Sequence, residues 1–479
     1  MDVHKVHPRS EGVPSTTGRL PESRLFTSRS LQQPHPHTFP RGHLLCRSLD
    51  VREQSATSSE SIKGVVVTEA DGRRRRKYLL RGTKQAVVED EVLTREEQAS
   101  NFVDGIKGFF LPKGYPDTVT PDYLRFQLWA VPAHVTGWMS TSLATSSLLK
   151  AVGVGNSAVG ATSAAAAIKW ITKDGIGAAG RVLVGGRLGN VFDEDPKRWR
   201  MVAEAFLTVG LALEIATAFS PGNFIVLAGA GNLSRAVGRG MTNPCFRIIQ
   251  THFAAASNIG DVAAKEEVWE VSAQLMGLAA SVGLLRAIEA TGKPENVLGV
   301  WAAVQVLHSL LRYKSLAVLQ FPSLNQKRAC LLAAAHVAGQ PLPGVPEGNA
   351  QENLLAWPTL VRPSLWFGCT LQEAMGSRPN CAELQELLRI YEGEKHMLIW
   401  RGGKGQVLLH QEAQPRDALR PVWQAAWLEQ QGVEDAGPAD LSASLDALRK
   451  QGPAFEKDLS RAGWNTDQIT ILTGTARYL

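Results

Sequence analysis

At 479 residues the chain is long enough for two or three domains that each bury a core. Its net charge of +6 is not laid out as a basic stripe interleaved with aromatics, which argues against nucleic-acid binding. The five cysteines (Cys46, Cys245, Cys330, Cys369, Cys381) are scattered without a C-x-x-C pair. They form neither a disulfide framework nor a zinc spacing, and fit a reducing compartment such as cytosol, stroma or mitochondrial matrix.

Residues 1–53 read as a transit peptide, with an ordinary disordered tail as the alternative. Before Asp50 they carry seven Lys/Arg against three acids, many Ser, Thr and Pro, and no apolar h-region. That excludes a secretory signal and fits organellar targeting. Residues 54–100 read as a polar linker with one short apolar run (Gly64–Val67) and the basic cluster Arg73–Lys77. Such a cluster is a solvated charge block or, ahead of a membrane core, an anchor on the more negative leaflet.

Residues 101–338 are expected to form a helical core. Phe126–Leu149 is free of Asp, Glu, Lys and Arg for 24 residues, Ala151–Ile168 for 18, Ile215–Ser234 for 20, Val271–Leu285 for 15 and Asn296–Leu311 for 16. These lengths bracket the ~20 residues that span a bilayer. Their Ser, Thr, Asn and Pro content makes each one marginal, and a tightly packed soluble bundle is the competing reading. Gly153, Ser157, Ala161 and Ala165, spaced by four, would let helices approach closely. The predicted fold is therefore mainly α, a small-residue-packed helical bundle embedded in a membrane, with a small C-terminal α+β domain.

Asp195-Pro196 predicts a helix running to about Thr217, and Lys293-Pro294 starts another to about Tyr313. Ser220-Pro221-Gly222-Asn223 predicts a turn between helices. Residues 339–383, beginning GQPLPGVPEGNAQEN, read as a Pro/Gly-rich linker. Residues 384–479 read as the α+β domain: a hairpin pairing His396–Trp400 with Gln406–His410, helices near Leu419–Gln431 and Leu441–Ala462, and a last strand near Gln468–Leu472.

Gly153-x-Gly155-x-x-Ala158 resembles a dinucleotide fingerprint but follows a helix, so helix packing is the better reading. No Walker A, H-E-x-x-H, G-x-S-x-G or EF-hand spacing occurs. His134, His252 and His308 sit on separate helices and read as hydrogen-bonded core residues rather than a metal site. No catalytic motif, metal or cofactor is expected, and a Schiff-base role for Lys173 lacks the fold that pyridoxal-phosphate chemistry needs.

The candidate ligand site is the set of charges interrupting the apolar region: Lys173, Asp174, Arg181, Lys197, Arg200, Asn258, Asp261 and Lys265. The glycines of Lys173-Asp174-Gly175-x-Gly177 would allow a tight turn there. Lysines and arginines would contact phosphate or carboxylate groups, and Asp174 and Asp261 would orient them. The bland alternative is structural pairing, of Lys173 with Asp193 or Asp195, Arg181 with Glu204, and Asp261 with Lys265 one helical turn on.

Several motifs occur in a fixed order: FFLPKGYPDTVTPDYLRFQLW (Phe109–Trp129), WITKDGIGAAGR (Trp170–Arg181), KRWRMVAEAF (Lys197–Phe206), HFAAASNIGDVAAKE (His252–Glu266) and RYKSLAVLQFPSLNQKR (Arg312–Arg328). In these the chain resembles the root UV-B sensitive family, also called the vitamin B6 photoprotection and homeostasis domain. The resemblance is strong over about Phe102–Leu331 and weaker in the C-terminal module, where Ala462-Gly463-Trp464-Asn465 is similar to the family's terminal GW segment. It implies a non-enzymatic, membrane-associated helical protein in vitamin B6 homeostasis and UV-B or light-dependent development. The implied location is a plastid membrane, with a mitochondrial one as alternative, and the implied partner is another member of the family. A small anionic metabolite, such as pyridoxal phosphate or a related vitamer, is the expected ligand. The alternative is a soluble interaction scaffold acting through its C-terminal domain. The chain departs from the family after Ala203-Glu204, with Leu207-Thr208 where an Asn-Asp pair is usual, and in GRGMTNPCFRIIQ (Gly238–Gln250).

Overall fold

A computed structural model describes residues 66–71, 74–81, 85–92, 95–153, 167–176, 189–293, 296–376 and 380–478, the backbone alone over 66–102 and 189–190. The expected transit peptide, Arg181, and Ser157, Ala161 and Ala165 of the small-residue ladder lie outside these residues. The chain divides into two compact units, Met1–Phe102 and Val103–Leu479.

In the first unit the expected polar linker is instead an antiparallel sheet of β1 (Val66–Asp71), β2 (Arg74–Arg81) and β3 (Gln85–Val92). Arg74–Lys77 of the basic cluster lie on the central strand. Its register sets Arg75 opposite Glu91, Arg76 opposite Glu69 and Asp90, and Lys77 opposite Glu89. Opposite charges on facing strand positions favour pairing, so the run that looked like a solvated block has a complement in the acidic strand behind it.

Helix α1 (Arg95–Phe110) crosses the boundary between the units. The second unit then runs through α2 (Tyr123–Val152), α3 (167–176), α4 (Gly189–Glu194), α5 (Pro196–Ala216), α6 (Phe224–Phe253), α7 (Ile259–Ala290) and α8 (Asn296–Ala317). Asp195 caps α5, its carboxylate accepting the Arg198 amide at 3.2 Å with Pro196 in the first turn, as predicted. A 3-10 turn, Pro221–Asn223, joins α5 to α6.

Small residues do pack this bundle, on α5, α6 and α7. A Cβ added to Gly231 would lie 2.8 Å from the Gly210 carbonyl, one on Gly238 2.9 Å from the Ala203 carbonyl, and one on Gly277 2.7 Å from the Val135 carbonyl. The contacts Gly210–Gly231 and Ala203–Gly238 run in opposite chain order, so α5 and α6 are antiparallel with their backbones in near contact.

The C-terminal module begins far earlier than residue 384. It contains β4 (Ser323–Leu324), α9 (Gln326–Val337), α10 (Val345–Gln351), β5 (Ser364–Phe367), α11 (Leu371–Met375), α12 (Cys381–Ile390), β6 (His396–Arg401), β7 (Lys404–Leu409), α13 (Leu419–Gln430), α14 (Pro438–Arg461) and β8 (Asn465–Ile469). The β6–β7 hairpin forms as expected, but β5, from the supposed linker, pairs parallel with β7, and β4 pairs parallel with β8. One hydrophobic core joins α9, all three strands of the β5-β7-β6 sheet, α13 and α14 around Trp400 and Trp423. The Pro/Gly-rich composition of 339–383 thus marks tight connections inside a domain. Trp464 is buried, its indole N–H donating to the Pro343 carbonyl at 3.0 Å, and Gly463 before it takes φ +87°, which favours glycine.

Candidate functional site

The site residues that are described do not gather in one place. Lys173 is buried on α3 and pairs with its neighbour Asp174 at 3.0 Å, its ammonium 4.7 Å from the centre of the Trp170 ring. The helix continues through residue 176, so the expected turn at Asp174-Gly175 does not form there. Lys173 meets neither Asp193 nor Asp195. Asp261 and Lys265 are not bonded to each other: Asp261 accepts the Lys113 amide at 2.6 Å, and Lys265 donates to the Gly108 carbonyl at 2.5 Å. Together they fasten the last turn of α1 and the segment after it to α7. Asn258 is the N-cap residue of α7, and both polar atoms of its side chain lack a hydrogen-bond partner.

Lys197 enters a buried ionic network where the bundle meets the C-terminal module. Its ammonium donates to the Leu319 carbonyl at 2.7 Å and Asn349 Oδ1 at 2.8 Å, with Glu352 at 3.6 Å. Glu352 also meets Lys327 and Arg328, while Lys327 reaches Asp195 at 2.7 Å. Burial alone would raise the Glu352 carboxyl, but Arg328, Lys197 and Lys327 hold it well below the usual carboxylate range. Burial pushes Lys197 down to about 8. With each charge answered by protein groups, this network is a structural joint.

Of the seven candidates among the described residues, Arg200 lines a polar cavity. The cavity encloses about 450 Å³ and draws on five helices: His134 and Thr141 from α2, Arg200 and Glu204 from α5, Arg235 and Arg239 from α6, Glu270 from α7, and Gln305, His308 and Arg312 from α8. Glu204 is its hub. Arg200 approaches Glu204 at 2.9 Å, Arg312 at 3.0 Å and His308 Nε2 at 3.4 Å. Burial would raise the Glu204 carboxyl, yet Arg200, His308 and Arg312 hold it well below its ordinary value. His308 Nδ1 donates to the Ala133 carbonyl at 2.7 Å, which orients the ring. Arg235 pairs outside this group, with buried Glu214 at 2.6 Å.

The polar atoms of the cavity, donors and acceptors, are not all paired. Arg200 Nη1 sits at ion-pair distance from Glu204 but is misaligned for a hydrogen bond, and Gln305 Oε1 is buried without a partner. Four arginines line the cavity with two carboxylates, Glu204 and Glu270, although Arg235 already pairs with Glu214 and Arg239 is also engaged. Such a chamber suits a small anion carrying oxygens for the guanidinium groups. Glu204 was visible in the sequence only as a partner for Arg181; beside Arg200 one turn back on α5, its partners His308 and Arg312 come from α8, more than a hundred residues away. Among the three histidines, His134 and His308 share this cavity, whereas His252 bonds Asp122 at 2.9 Å elsewhere.

The model of the vitamin B6 photo-protection and homoeostasis domain matches residues 96–340, and that of the C-terminal domain of root UVB sensitive proteins matches 342–473. The chain belongs to the root UVB sensitive family. Family relatives include protein root UVB sensitive 5 of Arabidopsis thaliana, 42% identical over 77% of this chain and 75% of the relative. Protein root UVB sensitive 3 of the same plant is 29% identical over 75% and 82%, and protein root UVB sensitive 2, chloroplastic, is 28% identical over 81% and 87%. No solved structure matches. The five cavity-lining helices all fall inside the first family domain, and the second begins within the segment that had read as a linker.

Proposed function

We propose that this member of the family is a non-enzymatic, membrane-associated protein of a plastid membrane, serving vitamin B6 homeostasis and UV-B or light-dependent development by binding or moving a small anionic metabolite. The arginine-lined cavity supports the ligand class, and pyridoxal phosphate or a related vitamer is of suitable charge. A relative named chloroplastic supports the compartment.

Membrane embedding rests on the outward faces of the helices. Leu275, Met276 and Val282 of α7 and Val306, Leu307 and Leu310 of α8 are exposed, while charges lie inside. Among the described residues α7 is the one helix long and apolar enough to cross a bilayer. The charge-free stretch of α7, Val271–Leu285, is the segment proposed to lie in lipid. Another family member is the proposed partner.

Two measurements test this reading. Carbonate washing of organelle membranes should leave the chain in the pellet, and recovery in the wash would refute embedding. Pyridoxal 5′-phosphate should bind the purified full chain, with Arg312→Ala weakening binding by about tenfold or more. Binding unchanged by that substitution would remove the cavity from the reading. The second reading, a soluble scaffold, draws on Leu355, Trp357, Leu360 and Trp366, exposed on the C-terminal module.

A further inference from the structure

Next to the arginine cavity lies a buried carboxyl that the anion-binding reading does not use. Glu266 of α7 accepts a 2.6 Å hydrogen bond from the amide of Gln127 on α2, and both residues are buried. Its neighbours are neutral or acidic. From α2 comes the Tyr123 phenol, and from α7 itself Trp269 and Glu270, with Asp261 bearing on Tyr123 from the helix's first turn. The Tyr123 hydroxyl and the Trp269 indole N–H are buried without hydrogen-bond partners. Glu270, one helical turn beyond Glu266, lines the cavity and feels the charges of Arg312 and Arg200. Glu266 precedes the charge-free stretch Val271–Leu285. Burial, opposed by the Gln127 bond and reinforced by Glu270, pushes its carboxyl up to about 8.

We propose that Glu266 is a proton-binding site coupled through Glu270 to the anion cavity, so that anion and proton are bound together. The proton comes from water, rests on a Glu266 carboxyl oxygen, and returns to water when the anion leaves. An ionised Glu266 opposes Glu270 and any anion held by Arg200 and Arg312, and protonation removes that repulsion. Coupling is reciprocal: a bound anion strengthens proton binding at Glu266 by the same factor by which the proton strengthens anion binding. The inference rests on the cavity being an anion site.

The test compares pyridoxal 5′-phosphate affinity of the full chain and its Glu266→Gln variant between pH 6 and pH 9. The ligand's own ionisations cancel in the ratio of the two dissociation constants. Glutamine imitates the protonated carboxyl, so the wild-type-to-variant ratio should be near one at pH 6 and rise to about tenfold at pH 9. A ratio that stays flat while both proteins bind overturns the coupling and leaves the cavity reading intact. Absence of binding by the wild-type chain at every pH overturns the cavity reading and the coupling with it. If Glu266→Gln does not fold, Gln127→Ala serves instead. Losing the amide donor should move the affinity decline to higher pH, and an unmoved decline overturns the proposal.

Discussion

The bundle and the C-terminal module are built on opposite plans. The module hides its apolar side chains around one core, with Trp400 and Trp423 almost fully enclosed and His396, Gln424 and Ser444 bonded among themselves and to Tyr391. The bundle divides its apolar contacts among several small clusters. It keeps Glu204, Glu214, Glu266 and Arg312 inside and turns Leu275, Val282 and Leu310 outward. The hydrophobic effect in water accounts for the module. In the bundle that burial is divided, and it is joined by close backbone approach at Gly210, Gly231, Gly238 and Gly277 and by buried ion pairs.

The contrast can be broken most forcefully in the module. Trp423→Ala removes a fully buried indole and its 3.0 Å bond to His336, and should cost about 3–5 kcal/mol by chemical denaturation followed on the module's remaining tryptophans. An effect under about 1 kcal/mol would show that the module lacks a tightly packed core.

Acid tests the same core electrostatically. Burial pushes His396 down to about 4, opposed by its Gln424 bond. The unfolded chain therefore takes up a proton at His396 that the folded module refuses as pH falls from about 6.5 towards 4. The module should lose stability across that window, by at most about 3 kcal/mol. His396→Gln should flatten that decline, as read by melting temperature against pH.

In the bundle, Gly231→Val would drive a side chain against the Gly210 carbonyl and part α5 from α6, at a cost of about 1–3 kcal/mol. A neutral outcome in thermal melts would mean that glycine contact does not hold these helices. The smallest stability effect belongs to the outward face. Leu275→Ser should change thermal stability in detergent by no more than about 0.5 kcal/mol. If α7 faces lipid, the same change should lower recovery in the carbonate-washed membrane pellet.

Helices and hairpin were legible because their signals are local. Asp195-Pro196 announces the start of α5, and Arg401-Gly402-Gly403-Lys404 the β6–β7 turn, within a few residues. The site was not legible for the converse reason. Glu204 is an ordinary helical glutamate until Arg312 and His308 arrive from α8, and nothing in the spacing of Lys173, Asp261 and Lys265 shows that the first pairs with its neighbour while the other two bond backbone groups 148 and 157 residues away. The linkers failed for a third reason. Pro- and Gly-rich composition marks where a backbone turns, and β5 shows that a turning segment can still contribute a strand to the sheet.

The pairing of β4 with β8 sets an order on biosynthesis. Ser323 leaves the ribosome roughly 140 residues before its partner Asn465, and α9, directly behind it, packs into the same core. The first part of the module is thus made early and waits, unpaired, for its closing strand. During translation its apolar face is open to chaperones, and a premature stop before residue 465 would strand it in that state.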